Sequence, residues 1–430
     1  MNTCVYKRTV LQHIQHSNAH HCSCSRIFNV HYRKMTTVKS PLTVTSLPTR
    51  NPDPSTAKAH HIGDPPTKFQ NPWSSYTGVS PLTLFKTRFG SHPEKKFVPV
   101  PEGPNGIRSE ELVKVRKPDW GLDKPDRMRA TWIGHASFLI EMPVVEGAER
   151  GVRILIDPVF SERTSPVSFL GPLRYTPTPC TVHELPEVDA VCISHNHYDH
   201  LDYYTIEELY KRHKDRIHFF VPLNDKSWFE QHICPAESVT ELDWWESCRF
   251  DAPGIGSVDL TCTPSQHASA RTPFDKDHGL WSSWAIQSTE TKKSLYFAGD
   301  TAYQAQGTPA PCPVFRQIGQ ALGPFDLALV PIGLFKPPVV MGAVHCSPEQ
   351  ALEIQKEVGS RLSLGMHYGT VRGGISGQYE DVREPPRRWR EAGEKEGLWR
   401  GGGVEGRGGS VVVDEKGGIG LCDVGETVAV

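Results

Sequence analysis

From residue 129 onward, short apolar runs bounded by glycine and proline punctuate the chain, and several end in a chemically loaded residue. Ala130-Thr131-Trp132-Ile133 leads to Gly134-His135, Val152-Arg153-Ile154-Leu155-Ile156 leads to Asp157, and Asp189-Ala190-Val191-Cys192-Ile193 leads to Ser194-His195. Further on, Leu260-Thr261-Cys262-Thr263-Pro264 leads to Ser265-Gln266-His267, Ser294-Leu295-Tyr296-Phe297-Ala298 to Gly299-Asp300-Thr301, and Leu362-Ser363-Leu364-Gly365-Met366 to His367. Runs of four or five apolar or β-branched residues of this kind predict buried strands. Another strand, over residues 326–333, ends without a candidate ligand and reads as structural. Helical periodicity intervenes at residues 205–212, 314–321, 348–358 and 386–392. Strands mixed with helices predict an α/β layered domain, in which residues just past the strand ends face a shared crevice.

Outside that block the pattern changes. The first fifty residues carry Lys7, Arg8, Arg26, Arg33, Lys34, Lys39 and Arg50, with no acidic residue before Asp53. This is the composition of an organellar, here mitochondrial, transit segment, but the amphipathy of Val5, Val10, Leu11 and Ile14 is faint and fits a disordered tail, or an extension upstream of Met35, better. Residues 41–66 are Pro, Thr and Ser with little periodicity, so residues 1–66 read as a disordered basic region and linker, with order expected from Phe69. Residues 67–128 read as an N-terminal cover segment. Its Trp73, Leu82, Leu84 and Phe85 either cover the core, the commoner arrangement, or meet a lipid surface. The layered domain then spans residues 129–400. Residues 401–430 form a Gly-rich tail whose Ser410-Val411-Val412-Val413 and Ile419-Gly420-Leu421-Cys422, around Glu415-Lys416-Gly417-Gly418, predict a terminal β-hairpin.

The chemistry concentrates in Ser194-His195-Asn196-His197-Tyr198-Asp199-His200-Leu201-Asp202. His195 and His197 sit two apart, and in an extended segment they point to the same side and can grip one ion. Asp199 and His200 lie where the chain turns toward a helix and suit a second ion. Imidazole and carboxylate together select a borderline cation such as Zn2+, or Fe or Mn, over the all-oxygen cages of Ca2+ and Mg2+. The wider composition narrows the function classes. A net charge of −2 over 430 residues offers no basic footprint for nucleic acid. Eleven scattered cysteines form no disulfide framework, which points to a reducing, intracellular setting. No run approaches the ~18 apolar residues of a membrane span, so membrane contact is expected to be peripheral.

A strand ending in H-x-H-x-D-H, then a distant His, a Gly-Asp-Thr and a final strand-end His, resembles the two-metal members of the metallo-β-lactamase superfamily. More narrowly, Asp157-Pro158-Val159-Phe160-Ser161, Glu241-Leu242-Asp243-Trp244-Trp245, Thr263-Pro264-Ser265-Gln266-His267, Phe297-Ala298-Gly299-Asp300-Thr301 and Gly323-Pro324-Phe325-Asp326-Leu327 resemble the N-acyl-phosphatidylethanolamine-hydrolysing phospholipase D family. The resemblance implies an αββα sandwich with a disordered N-terminal extension, and makes residues 129–400 the catalytic domain. It implies two Zn2+ ions, the first on His195, His197 and His267, the second on Asp199, His200 and His367, with Asp300 bridging. Asp199, Asp300 and His345 become the candidate catalytic residues, and His135 and Asp157 orient ligands from behind. His345 is implied to lie near the substrate phosphate. Equally, Ser347-Pro348-Glu349-Gln350 reads as an N-cap and first turn, which makes His345 a satisfied histidine at a helix start.

The implied activity is hydrolysis of N-acyl-phosphatidylethanolamine to N-acylethanolamine and phosphatidic acid, with a phospholipid substrate, peripheral membrane contact and pairing as a homodimer. The alternatives are a lactonase, thioesterase or other phosphodiesterase on the same fold, a metallo-nuclease, which the charge balance disfavours, and a zinc-stabilised lipid-binding module without turnover.

Overall fold

The computed structural model describes residues 41–91, 95, 99–100, 113–402, 413 and 416–430. The expected disordered extension at residues 1–40, and most of the first strand of the expected hairpin, lie outside the described residues. Within them, fifteen strands form two mixed sheets of seven and eight. In the seven-stranded sheet, Arg129–Gly134, Ser137–Glu141 and Arg153–Ile156 pair antiparallel. Ala190–Cys192, His218–Pro222 and Val239–Leu242 then join in parallel. In the eight-stranded sheet, Ser247–Ala252, Gly256–Thr263, Ser283–Ser288 and Ser294–Phe297 form an antiparallel meander. Phe325–Pro331 and Ser360–Met366 continue it in parallel.

The period of two along each strand decides the layering. Ile154, Ile156, Ala190 and Cys192 point into the main core, which also holds Leu260, Trp284, Leu295, Leu329 and Leu364 of the other sheet. The intervening Leu155, Val191 and Ile193 face outward onto Ile206 and Leu209 of the helix Tyr203–His213 and Phe229 of the helix Lys226–His232. On the opposite side the helices Val314–Leu322, Pro348–Val358 and Glu384–Lys395 cover the eight-stranded sheet through Phe315, Ile318, Leu352, Ile354 and Trp389. The result is the expected αββα sandwich, with strands buried on both faces where the pairing is parallel.

Three expectations about the flanks are corrected. The linker reading fails at Thr43–Leu47, which pairs with Ser247–Ala252 as an edge strand, and at His61–Ile62, which pairs with Lys68–Phe69, so order precedes Phe69. A Thr/Ser-rich composition looks like linker, but β-branched Thr and Val fit a half-exposed pleated edge, and Val44 packs on the core. The hairpin reading of the tail fails as well. Gly418–Gly420 pairs in parallel with Ser360–Met366, and Thr427–Ala429 crosses to pair with Arg129–Gly134. The tail therefore edges both sheets, and Ile419, Leu421, Cys422, Val424, Val428 and Val430 are buried in the main core. Turn chemistry reports only local pairing, whereas these partners lie far away in the chain. Core cover, finally, holds for Trp73, which stacks on Trp244 at 5.3 Å, but not for the helix Pro81–Phe89. There Leu82 is 61% exposed, Phe85 61% and Phe89 67%, and Leu84 is exposed too.

A chain ending at Lys416 should lose cooperative unfolding in urea, followed by tryptophan fluorescence. At roughly 1.5–3 kcal/mol per buried large apolar side chain, the lost tail side chains together rival the about 5–15 kcal/mol that holds a domain folded. A sharp transition in the truncated chain would show the tail to be dispensable.

Candidate metal centre

The strand ends converge. His135 follows Arg129–Gly134, Asp157 follows Arg153–Ile156, His267 follows Gly256–Thr263, Asp300 follows Ser294–Phe297 and His367 follows Ser360–Met366. The segment 194–202 leaves Ala190–Cys192 and turns back, with His197 O accepting from the N–H groups of His200 and Leu201 before the helix Tyr203–His213 begins. His135, Asp157 and His367 hold left-handed φ values of 53°, 40° and 62°. Non-glycine residues take this conformation at a cost of order 1–3 kcal/mol, and it persists where a surrounding site imposes it.

Donor atoms gather in two groups that share an edge. In the first, His197 Nδ1 lies 2.8 Å from His195 Nε2 and 3.3 Å from His267 Nε2. In the second, His200 Nε2 lies 3.3 Å from His367 Nε2, and both are 3.9 Å from Asp199 Oδ2. Asp300 stands between them, with Oδ2 3.3 Å from His200 Nε2 and 3.7 Å from His267 Nε2, and Oδ1 3.0 Å from His367 Nε2. Back-side partners fix which nitrogen faces inward. His200 Nδ1 donates to Asp157 Oδ2 at 2.7 Å, His267 Nδ1 donates to the Val344 carbonyl at 2.8 Å, and Ser194 Oγ sits 2.9 Å from His195 Nδ1.

A family model described as a beta-lactamase superfamily domain matches residues 152–368, half of the chain. The chain belongs to the metallo-β-lactamase superfamily. An N-acyl-phosphatidylethanolamine-hydrolyzing phospholipase D of Caenorhabditis elegans is 38% identical over 259 residues, covering 59% of this chain and 67% of that protein. The mitochondrial N-acyl-phosphatidylethanolamine-hydrolyzing phospholipase D of Saccharomyces cerevisiae is 29% identical over 339 residues, covering 73% and 69%. Among solved structures, Igni18, a metallo hydrolase from Ignicoccus hospitalis, superposes with a TM-score of 0.45 at 22% identity, over 70% of this chain and 98% of that one. Fold and relatives make the chain a hydrolase of a metal-dependent family.

The residues present fit the metals that a metallo-β-lactamase fold implies. Nitrogen facing nitrogen at 2.8–3.3 Å places lone pairs together that a shared cation satisfies, and a tetrahedral ion with bonds near 2.0–2.1 Å holds its donors about 3.3 Å apart. Asp300 Oδ1, His345 Nδ1 and His367 Nδ1 are buried and make no hydrogen bond. Protonation states suit ligation at most donors; at His200 the carboxylates of Asp300, Asp199 and Asp157 outweigh burial and hold the imidazole well above its ordinary range, a proton that a cation bound there displaces. Burial holds His195 and His267 well below the ordinary imidazole range, hence neutral. Burial works to raise Asp199 and Asp300, but for Asp199 the imidazoles of His200 and His135, and for Asp300 those of His367 and His200, outweigh it and keep both carboxylates ionised. Burial lowers His135 to about 3, so its ring is neutral where Nε2 meets Asp199 Oδ2 at 3.0 Å.

The helix start after His345 is as read from the sequence, and the His345 ring borders the donor cluster. Ser347 caps Pro348–Val358 with a reciprocal Gln350 contact, while the His345 ring lies 5.2 Å from that of His267 and its Nδ1 lies 3.8 Å from Asp300 Oδ2. Other supports were not singled out from the sequence. Ser194 donates to Asp157 Oδ2, and Thr370 Oγ1 accepts from the His135 N–H. Arg271 carries the loop 196–201: its Nη1 donates to the carbonyls of Asn196 and Leu201, each at 2.8 Å, and its guanidinium lies over the rings of Tyr198 and Trp228. Ser194 stands inside the histidine motif and was legible there. Arg271 has no local signal, because its partners are backbone carbonyls some seventy residues away.

Asp157→Asn should lower metal affinity by about 10–100-fold, since a carboxylate behind a ligating imidazole fixes its tautomer and orientation. Competition with a chelator reads the change, with helix content by circular dichroism as the check on folding. Unchanged affinity would mean that His200 is aimed by something else.

Proposed function

We propose that this chain is a binuclear zinc phosphodiesterase of the phospholipase D type, hydrolysing N-acyl-phosphatidylethanolamine to N-acylethanolamine and phosphatidic acid. The observation that carries the reading is Asp300 standing within 3.0–3.7 Å of imidazoles from both donor groups in one buried cluster. The substrate class is taken from the phospholipase relatives, the nematode protein at 38% identity above all.

In this reading His195, His197 and His267 hold one ion, Asp199, His200 and His367 the other, and Asp300 serves both. A zinc pair in such a cage supplies a hydroxide nucleophile at neutral pH and positive charge toward a phosphodiester anion. Asp199 and Asp300 offset only part of that positive charge, so the cluster keeps a field that attracts phosphate. His345, which burial lowers to about 4 and leaves neutral, has an unpaired ring nitrogen available to a phosphate oxygen. His135 and Asp157 hold Asp199 and His200 in place through the contacts described above. Turnover in 18O-labelled water distinguishes attack at phosphorus from attack at a carbonyl. Label is expected in phosphatidic acid, with none in the N-acylethanolamine. Label in a free fatty acid would replace the phospholipase D assignment with an esterase one.

A bilayer substrate has to reach the cluster from a membrane surface. Among the described residues no helix is long and apolar enough to cross a membrane. The helix Pro81–Phe89 presents Leu82, Leu84, Phe85 and Phe89 to solvent beside Lys86 and Arg88, the pairing of apolar and basic side chains that an interfacial helix uses. We place peripheral membrane contact there. A mitochondrial location belongs to the same proposal, from the basic, acid-free composition of the first fifty residues and the mitochondrial name of the yeast relative. Replacing Leu84 and Phe85 together by Ser should weaken vesicle flotation several-fold with little loss of stability, since both side chains are already exposed. Unaltered flotation would move the contact elsewhere.

A further inference from the structure

Away from the catalytic cluster, His60, His61 and Asp243 form a separate donor group. His60 and His61 open the short ribbon of His61–Ile62 and Lys68–Phe69, and Asp243 heads the turn after Val239–Leu242. Asp243 Oδ1 lies 2.7 Å from His60 Nε2 and Oδ2 lies 2.7 Å from His61 Nε2, although the partners are more than 180 residues apart in the chain. One donor atom from each of the three residues lies within 4.8 Å of the other two. The carboxylate is held in aim, because Oδ1 also accepts from the Trp244 N–H at 2.8 Å while the Asp243 N–H donates to Glu246 Oε2 at 2.8 Å.

The surroundings are aromatic. The His60 ring stacks on Trp244 at 4.1 Å, and Phe69 lies 6.0 Å from His60 and 5.7 Å from His61. Such walls limit solvent access and lower the local dielectric. Side-chain exposure is 1% for His60, 9% for His61 and 16% for Asp243, so the group is enclosed but open along the edge of the carboxylate. Burial lowers His60, against its hydrogen bond to Asp243, and the Asp243 carboxyl is held low by His60 and His61 despite its own burial. Among the described residues no lysine or arginine pairs with Asp243. An enclosed carboxylate beside a neutral imidazole is stabilised by a partner of positive charge.

We propose that His60, His61 and Asp243 hold a third divalent ion of the zinc type, structural in role and distinct from the two at the catalytic cluster. Two imidazoles and one carboxylate are donor types that zinc accepts, and the open edge of Asp243 leaves a position for water. The ion staples the segment 60–75 to the turn 243–246, and both sides of the staple lead to the strand end that aims His267. On one side Asn71 Nδ2 donates to the His267 carbonyl at 2.8 Å, and Ser75 Oγ donates to Gln266 Oε1. On the other, Trp244 Nε1 donates to the Trp281 carbonyl at 2.7 Å, and Trp281 Nε1 donates to the Ser265 carbonyl at 2.9 Å. The third ion thereby stiffens the support of a catalytic ligand without touching it.

Zinc per chain, measured by elemental analysis of the full-length protein after equilibration with zinc, tests this. His61→Gln retains a hydrogen-bond donor for Asp243 but ligates zinc poorly, so it separates a metal site from a hydrogen-bonded strap. One zinc equivalent should disappear in His61→Gln and again in Asp243→Asn. In a His195→Ala background, where a catalytic ligand is already lost, His61→Gln should remove one further equivalent. Zinc content in His61→Gln equal to that of the unaltered chain overturns the proposal. Anomalous scattering at the zinc edge from crystals of the unaltered protein provides a second reading that needs no variant: a peak between the three side chains supports the site, and its absence overturns it. Both readings are independent of substrate, so they stand or fall apart from the phospholipase assignment.

Discussion

Crowding imidazoles and carboxylates into one dry pocket is the constraint on which the rest of the molecule depends. His195, His200, His267, Asp300 and His367 are almost fully buried, and a buried, unpaired charge costs several kcal/mol. Two stacked sheets make such a pocket sustainable by fixing His195, His267, Asp300 and His367 just past the ends of strands. Around the donors, Asp157, Ser194, Thr370 and the Val344 carbonyl spend their own hydrogen bonds on orientation. The left-handed turns at His135, Asp157 and His367 point the same way, for strain of that kind is retained only where packing over-determines it.

The two ends of the described chain close the sandwich. Thr43–Leu47 caps one edge of the eight-stranded sheet, and Gly418–Gly420 caps the other. Thr427–Ala429 caps the seven-stranded sheet beside Arg129–Gly134, whose end carries His135. Covering open edges matters here because unpaired strands invite pairing with another chain. The segment 60–75 adds a brace, reaching from the aromatic cluster of Phe69, Trp73 and Trp244 to the backbone beside His267.

Fold and metal cage are shared across a superfamily, so neither selects a substrate by itself. Outside the cage this chain presents His345, the exposed apolar face of Pro81–Phe89 and the loop that leads into Pro338–Met341. A phosphodiester held in a bilayer makes demands on each of these. Under the proposed function it needs a donor beside the cations and an apolar face that meets the membrane.

The sequence by itself determined the donor motif and most of the layers. H-x-H-x-D-H is a local pattern, and buried strands and amphipathic helices announce themselves by periods of two and 3.6. The helix Pro348–Val358 was legible to the residue because Ser347, Pro348 and Gln350 spell a cap. Tertiary structure alone decided where nonlocal partners go. No local signal tells Gly418–Gly420 to lie parallel to Ser360–Met366 rather than fold back as a hairpin, or sends Thr43–Leu47 to an edge instead of a linker. Arg271 under the metal loop, and the meeting of His60 and His61 with Asp243, are likewise contacts between segments whose spacing in sequence carries no information about their distance in space. Those contacts arise from how the sheets stack, a property of the whole chain that no stretch of it encodes.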